Sequence, residues 1–64
     1  MLNNFKPGTL VKLSAYGLKR DKYSYIPTDL VGIVIMQPFG DWHRVRLSNG
    51  RQCMIDRRSL KKIS

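Results

Sequence analysis

Asn49-Gly50 lies between the alternating run Trp42-His43-Arg44-Val45-Arg46-Leu47 and the run Arg51-Gln52-Cys53-Met54-Ile55. No other feature constrains the chain as much, because two residues that tolerate positive φ, flanked by strand-like runs, are the strongest short-range signal of a β-hairpin. The pattern predicts strand three over 42–47 and strand four over 51–55, joined by a two-residue type I′ turn. Such a turn sets Val45 opposite Met54 and Arg44 opposite Ile55.

The remaining residues read as further strands. Pro7-Gly8 is turn chemistry, and Thr9-Leu10-Val11-Lys12-Leu13-Ser14 alternates except at Val11, which predicts strand one. Residues 30–36 are rich in β-branched side chains and stop at Gln37-Pro38-Phe39-Gly40-Asp41, which predicts strand two. Gly32 inside that strand marks a bulge or a close backbone approach. Residues 56–59 fit one helical turn with Asp56 at its N-cap, and 60–63 a short final strand. Residues 15–29 keep no sustained period and read as a long surface loop, of a length that usually carries function. Five short, evenly spaced strands in 64 residues imply an all-β, single-domain barrel over 1–64.

A chain this short buries only about 60% of its unfolded surface, enough for one core. Cys53 is the only cysteine and His43 the only histidine, which excludes an internal disulfide and leaves too few soft ligands for a structural zinc. No cofactor is expected. The longest apolar run, residues 30–36, falls far short of the ~20 residues of a membrane-spanning helix. The opening Met1-Leu2-Asn3-Asn4-Phe5-Lys6-Pro7-Gly8 has no apolar segment followed by a small-residue cleavage site. The expectation is a cytoplasmic protein without a membrane partner.

Twelve Lys and Arg stand against four Asp and no Glu, a net charge of +8. On so small a domain that charge costs self-repulsion, and its natural counterpart is an anionic partner: nucleic acid or an acidic protein surface.

From Trp42 to Leu60 the order is a tryptophan-led strand, an Asn-Gly hairpin, a strand ending in an aliphatic residue, one helical turn and a final hydrophobic. That order resembles the second half of an SH3 domain. Pro7-Gly8-Thr9-Leu10-Val11-Lys12-Leu13, followed by Val31-Gly32-Ile33-Val34, is similar to the opening of the wider group of SH3-like barrels, which includes KOW and Tudor modules. The resemblance implies a five-stranded SH3-like barrel with a long loop between strands one and two and one helical turn before the last strand. It also implies core positions at Val45, Cys53, Ile55 and Leu60. Cys53 and Ile55 sharing the core conflicts with the two-residue turn; a bulge or a longer loop reconciles them, and the facing of strand four stays open. Asp56 and Ser59 stand where a peptide-binding SH3 domain has a proline and a tyrosine, and Lys19, Arg20 and Lys22 replace its acidic specificity loop. Both departures argue against proline-rich ligands. A stand-alone barrel of this size also resembles small open-reading-frame products of tailed bacteriophages.

Period two puts His43, Val45 and Leu47 on one face of strand three and Trp42, Arg44 and Arg46 on the other. A Trp-x-Arg-x-Arg stripe suits stacking of a base on the indole and pairing of guanidinium groups with phosphates; its structural counterpart is a tryptophan capping the core edge beside solvated arginines. Arg51, across the hairpin, would extend the stripe. Arg57 and Arg58, with Lys61 and Lys62, form a second basic cluster. In the long loop Lys19, Arg20 and Lys22 interleave with Tyr23 and Tyr25, and at least one of these tyrosines is expected to pack the loop onto the barrel. Cys53 reads as a small core residue and His43 as a strand residue at a barrel edge, and the aspartates are scattered singly, so no catalytic site is expected. The leading expectation is a non-catalytic nucleic-acid-binding module of low sequence specificity. The alternative is a docking subunit or viral regulatory polypeptide that binds an acidic protein partner.

Overall fold

The computed structural model describes residues 3–63; Met1 and Leu2, which open the segment inspected for a leader, and Ser64 lie outside it. The chain is mostly β. Five strands, β1 (Leu10–Leu13), β2 (Gly32–Val34), β3 (Trp42–Leu47), β4 (Gln52–Asp56) and β5 (Leu60–Lys62), form one antiparallel sheet in the order β4-β3-β2-β1-β5. β4 and β5 are the two edges of that order and are linked through a 3-10 turn at Arg57–Ser59, so the sheet is open.

β3 matches its sequence pattern residue for residue: 42, 44 and 46 are exposed and 43, 45 and 47 buried. Gly32 is a close approach, as its position in β2 suggests. A Cβ there would lie 2.5 Å from Val45 Cγ1, and the β2–β3 register runs through it without a bulge.

The hairpin after β3 departs from the two-residue turn. β4 pairs Gln52 with Arg46, Cys53 with Val45, Met54 with Arg44 and Ile55 with His43. The loop is therefore three residues, Ser48 to Gly50, with Gly50 alone at positive φ (+90°). Asn49 keeps a negative φ and instead turns its side-chain oxygen back to accept the Arg51 N–H at 3.0 Å. The extra residue shifts the register by one, and one residue exchanges the two faces of a strand. Ile55 therefore joins Val45 in the core, Cys53 is half-buried, and Met54 turns outward.

Residues 15–29 are more ordered than a surface loop. Ser14 caps a one-turn helix, α1 (Ala15–Leu18), its hydroxyl accepting the Gly17 N–H at 3.1 Å. A 3-10 turn follows at Asp21–Tyr23. Tyr23 and Ile26 then join the core of Val11, Leu13, Val34, Val45, Leu47, Ile55 and Leu60. One-turn elements are shorter than the repeat that would reveal them, so periodicity does not detect them.

His43 is not the barrel-edge residue that the sequence suggests: it is fully buried, at 0% exposure. The chain ahead of β1 crosses over it. Nε2 accepts the Phe5 N–H at 3.1 Å and Nδ1 donates to the Asp41 carbonyl at 2.9 Å, while the Phe5 ring meets the imidazole edge-on at 5.7 Å. Both ring nitrogens are satisfied, which is what allows the residue to be buried. Among the described residues no helix is long and apolar enough to cross a membrane.

Candidate functional site

β3 directs Trp42, Arg44 and Arg46 to the outer face of the sheet, where their cross-strand neighbours on β4 are Asp56, Met54 and Gln52. On the other side Arg46 pairs with Ile33, which in turn pairs with Leu10. The one salt bridge among the described residues joins Arg20 to Asp56, so Arg44 and Arg46 are exposed cations without a carboxylate partner.

Ahead of β3, Phe39 and Trp42 exchange two backbone hydrogen bonds at 2.9 Å across Gly40-Asp41, with Gly40 at φ +60°. A glycine at the first central position fits a type II′ hairpin turn. The turn places two aromatics side by side at the surface: Trp42 is 40% exposed and Phe39 82%. With Met36, Gln37, Arg44 and Met54 they line a recess of about 260 Å³. Arg46 borders a second, more open recess walled by Leu10, Val31, Ile33 and Leu47. Each arginine of the stripe thus stands beside apolar surface.

The loop and C-terminal cations gather on aromatic rings. Lys22 Nζ lies 5.0 Å from the Trp42 ring centroid, which joins the loop to the stripe. Arg20 and Arg58 both sit over Tyr16, at 5.2 and 4.8 Å, which joins the loop to the C-terminal cluster. Lys19 is exposed beside α1. Attraction of this kind between a cation and a ring face is worth about 0.5–1 kcal/mol at exposed sites.

Asp56 organises the arrangement. Its carboxylate accepts the Tyr23 hydroxyl at 2.6 Å, the Ser59 hydroxyl at 2.8 Å and the Arg20 guanidinium at 3.3 Å. Partial burial alone would push its pKa up; the bonds from Tyr23 and Ser59 and the Arg20 charge outweigh that and hold it below the usual carboxylate range. Burial, followed by the bond to Asp56, pushes the Tyr23 phenol up to about 12.

Four of the residues read as contact candidates have other work, and Arg20 is one of them, held in the ion pair with Asp56. Tyr23 is 4% exposed and its hydroxyl is committed to Asp56, so its ring holds the loop to the core and offers no stacking surface. Arg57 lies 3.8 Å from the Phe5 ring centroid and donates to the backbone carbonyls of Asn3 and Leu60, fastening the N-terminal segment. Arg51 does not extend the stripe, because the register sets Gln52 beside Arg46; its guanidinium lies 5.6 Å from the ring of Tyr25. Tyr25 remains half-exposed, and burial pushes the neighbouring Cys53 thiol up, away from the thiolate.

Phe39, Met36, Met54 and Tyr16 belong to the surface without having been singled out by the sequence. An aromatic inside Pro38-Phe39-Gly40-Asp41 was available as a signal, since a turn of that chemistry exposes whatever side chain it carries. Met54 depended on the hairpin register. No protein-family model matches this chain, and neither a curated protein nor a solved structure matches it. Among the described residues no three His, Cys, Asp or Glu side chains cluster as metal ligands would.

Proposed function

We propose that the chain binds nucleic acid with low sequence specificity through the outer face of β3 and the turn before it. One observation carries the reading: Trp42, Arg44 and Arg46 share an outward face beside exposed Phe39, and among the described residues no carboxylate pairs with either arginine. Arginines free of intramolecular partners neutralise phosphates, and exposed aromatic rings stack on bases of any identity. Lys22 over Trp42 adds a further cation at the same place. Among the described residues no helix is long enough to read a major groove, which fits backbone-led recognition of low specificity.

The strand order, with β5 beside β1 and a 3-10 turn between β4 and β5, supports reading the open sheet as an SH3-like barrel parted at one seam. A second reading is an acidic protein partner, favoured by the exposed methionines Met36 and Met54 at the recess, an adaptable apolar surface of the kind protein interfaces use.

Fluorescence anisotropy with labelled single-stranded DNA, duplex DNA and RNA at two salt concentrations tests the proposal. Salt-sensitive binding, lost in the Trp42→Ala, Arg44→Ala, Arg46→Ala variant, is the expected result. Absence of binding to all three at low salt would overturn it and leave the acidic protein partner.

A further inference from the structure

We infer that the recess between Phe39 and Trp42 takes one unpaired base, so that the protein selects single strands over duplex; the inference rests on the nucleic-acid reading above. The recess has aromatic walls from Phe39 and Trp42, apolar methionine walls from Met36 and Met54, and the Arg44 cation at its edge. A nucleotide has the complementary division: a flat base with two stackable faces, joined to an anionic phosphate. Apolar walls take the base, and Arg44 with Lys22, 5.0 Å from the indole centroid, takes the flanking phosphates.

In a duplex both faces of every base are already covered by its neighbours and only edges show in the grooves, so nothing flat is free to enter. An unpaired base enters without unstacking a helix. Arg44 and Arg46 are two residues apart on one strand face, about 6.8 Å along β3 at ~3.4 Å per residue. That spacing lies near the distance between successive phosphates of an extended single strand, so the strand would run along β3 with its base in the recess and its backbone on the arginines.

The test uses Trp42, the only tryptophan, as an intrinsic fluorophore. The protein is titrated with a short oligothymidine, a strand of the same length made abasic at every position, the matching duplex, and polyglutamate. Oligothymidine is expected to quench Trp42 and to bind about tenfold or more tighter than the abasic strand or the duplex, the range that one stacked base supplies. Phe39→Ala removes a side chain 82% exposed and so leaves the fold alone; it should weaken oligothymidine by the same factor and leave the abasic strand unchanged. Equal affinity for all three nucleic acids would overturn the base pocket while leaving the nucleic-acid reading intact. Binding to none of the three, with or without binding of polyglutamate, would overturn both.

Discussion

Tyr23 and Asp56, 33 positions apart, are joined twice through one phenol oxygen, which donates to the Asp56 carboxylate at 2.6 Å and accepts the Asp56 backbone N–H at 3.2 Å. This pair fixes the loop of residues 19–26 against the end of β4. It thereby sets Lys22 over Trp42. Replacing the phenol oxygen leaves a partly buried N–H and a partly buried carboxylate each short of a partner, a loss of about 1–3 kcal/mol. Tyr23→Phe should lower the urea midpoint correspondingly in chemical denaturation; a midpoint unchanged from the parent would show that packing and the Arg20–Asp56 pair hold the loop without the phenol.

The same pair gives stability a pH profile with two limbs. The folded pKa of Asp56 is depressed, so its contribution is present above the unfolded value of about 4 and is lost as pH falls through the lower folded value. The folded pKa of Tyr23 is raised from 10.0 to about 12, so its contribution is full below 10.0 and is lost as pH rises through about 12. Denaturation midpoints followed across pH should fall at both ends, and Tyr23→Phe should flatten both limbs. Phenolate absorbance should show Tyr23 ionising only near pH 12 in the folded protein; ionisation near pH 10 would contradict the buried bond.

Gly17 is a position where propensity and packing oppose each other. In a helix alanine is favoured over glycine by about 1 kcal/mol, yet a Cβ at Gly17 would press on the backbone carbonyl of Ser59, which cannot swing aside as a flexible side chain would. Packing should win, and Gly17→Ala should destabilise by about 1–3 kcal/mol or more. A stabilised variant would mean that α1 does not lie on the Arg57–Ser59 turn.

His43 serves the fold as an acceptor and a donor at once. His43→Leu comes close in volume, removes both hydrogen bonds and leaves the Phe5 N–H without its acceptor. A cost of about 1–3 kcal/mol is expected, together with faster hydrogen exchange at the Phe5 amide. Unaltered exchange there would show that the N-terminal segment is held by its other contacts, Arg57 on Phe5 and Asn4 on the Gly40 carbonyl, without the His43 bond.

β3 was legible because six residues alternate without a break, and alternation states both the element and its faces. That is why the Trp42, Arg44 and Arg46 face could be read from the chain. The position of the following turn was legible too, but its type was not: Asn49-Gly50 suits two geometries, and the difference decides whether Met54 points in or out. The partnership of Tyr23 with Asp56 was illegible for another reason, since it joins side chains from a one-turn element and a strand end that no local pattern connects. The recess inherits both gaps. One wall is Phe39, seen in the sequence only as part of a turn, and another is Met54, whose facing depends on the hairpin register.

The most direct test of the outer face of β3 as a nucleic-acid surface is an amide-shift map of the labelled protein titrated with a short oligothymidine at low salt. The largest shifts should fall on Phe39, Trp42, Arg44, Arg46 and Met54, with a second set at Lys22, and all of them should fade as salt rises. Shifts confined to β5 and the Arg57–Ser59 turn, or none at all, would contradict it.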